Sequence, residues 1–122
     1  MLYGFLSLAC AQGKDGSPDP DTLMVRARCR EHLCRLQKRL SSLAAFPILA
    51  TPERDYPFRL IVPKAFWASS LSELALEQEW SNFKSEVAAF QGEPGEEYVH
   101  ALHDVWARMA HLKGAPRRPQ SR

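Results

Sequence analysis

Between Thr22 and Leu43 the apolar residues change their period, and that change limits what the chain can become. Leu23, Val25 and Ala27 alternate with Met24, Arg26 and Arg28, the period of a strand with one buried face. From Cys29 the apolar positions become Cys29, Leu33, Leu36, Leu40 and Leu43. Those lie at i, i+4, i+7, i+11 and i+14, the stripe of an amphipathic helix. The helix has a strongly basic outer face. At barely two heptads it is short for a coiled coil, so packing on the sheet is expected rather than dimerisation.

The remaining segments extend this pattern. Leu2 to Ala11, rich in Leu, Tyr and Phe, reads as a strand buried on both faces. Gln12 to Asp21 (QGKDGSPDPD) is a loop by composition. Its alternating Asp15, Ser17, Asp19 and Asp21 start like a calcium loop, but Pro20 stands where glycine is required and Arg26 where glutamate is. A polar hairpin connection is therefore expected. Phe46–Thr51 and Tyr56–Val62 form a second hairpin around Pro52-Glu53-Arg54-Asp55, with Pro47 and Pro57 pushing their strands toward an edge or a strand start.

Pro63 suits a helix first turn and opens a helix to about Glu79, with Trp67, Leu71, Leu74 and Gln78 on its inner line and Phe66 and Ala75 beside it. Ser81 or Asn82 caps a third helix, whose inward residues are Phe83, Val87 and Phe90. After Gly92, Pro94 and Gly95, a last helix aligns Tyr98, Leu102, Val105, Trp106, Met109 and Leu112 on one face, Trp106 being its largest apolar contribution. The expected fold is α+β, ββα–ββα–αα, with about four antiparallel strands in two hairpins and helices packed against the sheet. One domain is expected over 1–112, followed by a basic, flexible tail over 113–122.

With 122 residues, 45% apolar and 25% charged, the chain has ordinary globular proportions and enough length for a core. The net charge of +2 favours no partner class; its distribution says more. Leu23 to Leu43 holds six basic residues against Glu31, and Glu73 to Glu97 holds seven acids against Lys84. Three cysteines, Cys10, Cys29 and Cys34, without a framework spacing suggest reduced thiols and a cytoplasmic protein. Cys29, on the Leu33 stripe, reads as a small core residue. No apolar run approaches the roughly 20 residues of a membrane span. Leu8-Ala9-Cys10 lacks the basic region a signal peptide needs before it.

Residues with catalytic potential are few. His100, His103 and Asp104 share neighbouring sides of the last helix, but metal sites draw ligands from several elements. Cys29, His32 and Cys34 are far away in sequence, and Cys29 and Cys34 are not at redox or zinc spacing. No cofactor, metal or catalytic residue is expected. The basic groups Arg28, Arg30, Arg35, Lys38 and Arg39 are the candidate partner-binding residues. Three readings follow. The first is a non-enzymatic protein-interaction module, a regulator or an inhibitor of a bacterial defence nuclease complex. The second is a nucleic-acid-associated protein using the basic first helix. The third is a metal-dependent hydrolase at His100, His103 and Asp104.

The segments Asp21-Thr22-Leu23-Met24-Val25-Arg26-Ala27-Arg28, Asp55-Tyr56-Pro57-Phe58-Arg59, Ser81-Asn82-Phe83-Lys84 and Tyr98-Val99-His100-Ala101-Leu102-His103-Asp104-Val105-Trp106 span nearly the whole chain in order. On these segments the chain resembles a family of small uncharacterised bacterial proteins. The resemblance implies a stand-alone cytoplasmic protein of about this length and brings no activity, cofactor or site residue.

Overall fold

The computed structural model of the chain describes residues 1–113. They gather into two compact units, Met1–Ser81 and the residues from Asn82 onward. The expected tail beyond Lys113 lies outside the described residues.

The first unit is built on β1 (Leu6–Gln12), β2 (Pro18–Ala27), β3 (Leu49–Ala50) and β4 (Phe58–Pro63). They form one four-stranded antiparallel sheet in the order β1-β2-β4-β3. This is the expected pair of hairpins, joined through their long strands. Pairing runs from Leu6↔Ala27 to Cys10↔Leu23 and from Thr22↔Pro63 to Ala27↔Phe58. Pro18 and Pro20 lie beyond the stretch of β2 that pairs with β4, so their missing N–H groups cost no ladder bond on that side. The register of β1 and β2 shifts between Cys10 and Ala11, and β2 begins four residues earlier than its alternation shows. β1 is an edge strand with mostly half-buried residues, and Leu8 and Gln12 are exposed, so it is not the strand buried on both faces that its composition suggests.

Helices α1 (Arg30–Arg39) and α2 (Lys64–Glu77) pack on the sheet. Val25, Ala27, Leu60 and Val62 from the sheet and Leu33, Leu36, Leu40 and Leu43 from the first helical region are at most 1% exposed. Burying each of these larger aliphatic side chains is worth roughly 1.5–3 kcal/mol. The stripe expected from Leu33 to Leu43 is thus the core, though α1 stops at Arg39 and a 3-10 turn (Ser41–Ala45) carries Leu43 inward. Gln37 secures that turn, its Nε2 donating to the carbonyls of Leu43 at 3.2 Å and Phe46 at 2.8 Å. Cys29, expected in the core, is exposed. It is the extended residue just before α1, at φ −115° and ψ 131°, so the helical phase that would turn it inward has not begun.

The buried side of α2 is Trp67 and Ser70, with Leu74 and Glu77 half-buried. Leu71 is 45% exposed and Gln78 is exposed; the expected line was rotated by about one residue. Ser70, small and wholly buried, satisfies its hydroxyl by donating to the Phe66 carbonyl at 2.9 Å. At the start of the chain, Phe5 N–H donates to His32 Nδ1 at 3.3 Å. Gly4 lies so close that a Cβ on it would meet His32 Cγ at 2.2 Å. Tyr3 Oη and Arg39 Nε both donate to the Glu77 carboxylate, tying the start of the chain and the ends of α1 and α2 together.

The second unit holds α3 (Phe83–Gln91) and α4 (Glu96–Ala110), joined by a 3-10 turn (Glu93–Gly95). Asn82 caps α3, its Oδ1 accepting from the Ser85 N–H at 3.2 Å. Val87, Gln91 and Leu102 are buried. Gln91, not Phe90, takes the third inward position of α3; Phe90 is 48% exposed. Trp106 is half-buried, edge-on to Phe83 with ring centres 6.0 Å apart, and Lys84 Nζ lies 5.0 Å over its ring. Farther along, Val105, Met109 and Leu112 are 43%, 54% and 76% exposed. The last stripe is therefore a core only in its first half.

Candidate functional site

The sheet has two chemically different faces. Val25 and Leu60 are paired across β2 and β4 and point to the core; the next pair, Arg26 and Arg59, points away from it. Two arginines directly opposite each other put like charges on Cβ atoms about 4.5–5.5 Å apart, an arrangement that destabilises a sheet by itself. Ser7 on β1 is paired with Arg26, and Leu49 on β3 with Arg59, so the row crosses the whole sheet.

A cavity of about 430 Å³ opens on this face, lined by Gln12, Met24, Arg26, Arg54, Asp55, Tyr56 and Arg59. The loop between β3 and β4 supplies Arg54, Asp55 and Tyr56. Thr51 N–H donates to the Pro57 carbonyl at 2.7 Å and Arg54 N–H to the Thr51 carbonyl at 3.0 Å, closing the loop over the strand ends. Arg26 donates through Nη2 to Ser7 Oγ at 2.9 Å, and its guanidinium lies 5.1 Å from the Tyr56 ring centre. Arg59 donates through Nη2 to the Tyr56 carbonyl at 3.2 Å and through Nη1 to Met24 Sδ at 3.5 Å. The Nε atoms of both arginines are buried without a hydrogen-bond partner among the described residues. Buried charged donors left unfilled are costly. Both belong to residues that line the cavity, but the Nε atoms themselves are shielded from solvent, so an outside acceptor meets them only if the two side chains shift.

Of the partner-binding residues expected from sequence, only Arg28 reaches this region. Its Nη2 pairs with Asp55 Oδ2 at 3.0 Å, and its guanidinium lies 4.3 Å over Tyr56 and 6.0 Å from the Phe5 ring centre. Arg39 is bound to Glu77. Arg30 and Lys38 are exposed, and Arg35 is half-buried. Arg35 helps hold His32 below its ordinary value, although burial is the larger cause. Arg30 and Lys38 thus face solvent, while Arg39, also exposed, is held by Glu77. Sequence reading missed Arg54, Tyr56 and Arg59. Arg59 was visible in principle, because Leu60 and Val62 alternate with it and put it on the outer face.

The histidines of α4 do not form a centre. His100 lies 3.8 Å from Glu96 Oε1, His103 stands edge-on to Trp106 at 5.2 Å, and Asp104 is exposed. Among the described residues no three His, Cys, Asp or Glu side chains are placed to hold a metal ion, and no helix is long and apolar enough to cross a membrane. The three thiols are free. Burial first, and the bond to Glu77 second, push the Tyr3 hydroxyl up to about 12, so it is a fixed donor rather than an acid.

No family model, curated protein or solved structure matches the chain. The resemblance to a family of small bacterial proteins rests on its four segments alone.

Proposed function

We propose that the protein is a non-enzymatic interaction module of the cytoplasm, and that it engages an anionic group of a partner protein on the open face of its sheet. The observation that carries this reading is the opposed pair Arg26 and Arg59, each with a buried, unfilled Nε, in a concave site. Arginine clusters of this kind recognise single acidic or phosphorylated groups. They differ from the linear cation tracks that follow a nucleic-acid backbone. In α1, the helix assigned to nucleic acid by the alternative reading, Arg39 is bound to Glu77, which weakens that reading. No described residue bears on the narrower form, a regulator or inhibitor of a bacterial defence nuclease complex. No constellation favours the hydrolase reading at His100, His103 and Asp104.

Affinity purification from the native host, with and without nuclease treatment, tests the proposal. A stoichiometric protein retained after nuclease is expected, lost from Arg26→Gln/Arg59→Gln and kept by Arg30→Gln/Lys38→Gln. Retention that disappears with nuclease, or that needs Arg30 and Lys38 instead, would move the nucleic-acid reading to first place.

A further inference from the structure

The cavity on the open sheet face allows a narrower statement about its ligand, resting on the reading of that face as the binding surface. Three guanidiniums, Arg26, Arg54 and Arg59, line it against one carboxylate, Asp55. That carboxylate already faces a fourth guanidinium, Arg28, at 3.0 Å. The site therefore holds a surplus of positive charge that no described side chain neutralises. A carboxylate ligand brings one charge and two oxygens, enough for one guanidinium fork. A phosphate monoester brings close to two charges and three strong acceptor oxygens, enough for a donor from each of three arginines.

Arg26 Nη2 is tied to Ser7, and both Nη groups of Arg59 are tied to Met24 and the Tyr56 carbonyl. The Nε–H groups of Arg26 and Arg59, on opposed strands, have no acceptor among the described residues and are shielded from solvent, so they reach a seated phosphoryl group only as the two side chains shift toward it. Arg54 comes from the loop rather than the sheet and is exposed, free to close on a group seated between the other two. A volume of about 430 Å³ exceeds what one phosphoryl group fills, so there is space for part of the molecule that carries it.

We propose that this cavity is a phosphoryl-binding site that takes a phosphate monoester between Arg26, Arg59 and Arg54. The same chemistry is offered by a phosphorylated side chain of a partner protein and by a small free phosphate ester.

Calorimetric titration of the full chain with phenyl phosphate and with benzoate tests it, since the two share a ring and differ in the acid. Phenyl phosphate should bind on the order of tenfold more tightly, the margin of one further charge-assisted hydrogen bond. Arg54→Gln, at an exposed loop position where folding is not at stake, should lose about that factor. Arg30→Gln on α1 should lose nothing. A phosphoserine tripeptide binding more tightly than inorganic phosphate points to a protein side chain as the source; equal affinities point to a small free ester. Benzoate binding as well as phenyl phosphate overturns the phosphoryl assignment, and does so without touching the loss of partner capture in Arg26→Gln/Arg59→Gln. Binding of neither compound, or equal losses in Arg54→Gln and Arg30→Gln, overturns it also.

Discussion

Replacing Arg59 with methionine separates a binding arginine from a structural one, because the stem is kept and only the guanidinium is removed. Three effects compete. Removing one of two like charges directly opposed across β2 and β4 relieves about 0.2–1 kcal/mol. Removing a buried, unfilled Nε–H relieves a desolvation cost of about 1–3 kcal/mol. Against these stands the loss of the bond from Nη2 to the Tyr56 carbonyl, about 1.5–3 kcal/mol for a charged donor. The midpoints of these ranges nearly cancel, and their extremes run from a loss of about 2 kcal/mol to a gain of about 2.5 kcal/mol, so stabilisation is as compatible with them as destabilisation. One residue farther along β4, Leu60 is fully buried, and Leu60→Ala should cost about 2–5 kcal/mol. Urea unfolding of both variants at constant m-value gives the comparison. Arg59→Met losing more than about 2 kcal/mol would refute the reasoning, since the arginine would then be held for the fold and not for a ligand.

Gly4→Ala places a methyl group 2.2 Å from His32 Cγ and 2.4 Å from His32 Cβ at a φ of +154°, so the backbone must shift as well as the ring, and thermal melts should show a clear loss of stability, about 1–3 kcal/mol. His32 titrates below its ordinary value of 6.5 because it is buried and lies near Arg35. The unfolded chain then binds its proton first, so stability should be full above about pH 6.5 and fall as the pH drops below it. His32→Gln should flatten that part of the pH profile. Trp106→Ala should cost about 1–2 kcal/mol, less than a fully buried indole would, because the ring is half-buried; a loss of 4 kcal/mol or more by calorimetry would show that it anchors α4.

The parts of the fold read correctly from sequence are those where one face is strictly apolar. Val25 and Ala27 in alternation, and Leu33, Leu36, Leu40 and Leu43 at helical spacing, are the core of the first unit because either phase error would bury charge. Where both neighbours of the true face are also apolar, phase was lost. In α2, Leu71 competes with Ser70, and a buried serine that bonds its own helix leaves no hydrophobic signal. The stripe of α4 runs on past the helix end to Leu112 although burial ends earlier; periodicity shows that a face is apolar, not that something covers it. The candidate site was legible only by halves. Arg26 and Arg28 lie on the outer face of β2 by their alternation, but Arg59 joins them through the register of β2 with β4, two strands that no hairpin connects, and local pattern does not encode that register. The charges of α1 are close in sequence, so its basic face stands out in the local pattern. The bond from Arg39 to Glu77 spans 38 residues and could not be seen there.

The most direct measurement is an NMR titration of the arginine Nε–H resonances with phenyl phosphate. If the sheet face is the binding surface, the Arg26 and Arg59 signals should shift downfield, saturate together and exchange more slowly with water, as buried donors gain an acceptor. The Arg30 signal should stay in place. Uniform small shifts at all arginines, or movement at Arg30 with Arg26 and Arg59 unchanged, would contradict the account.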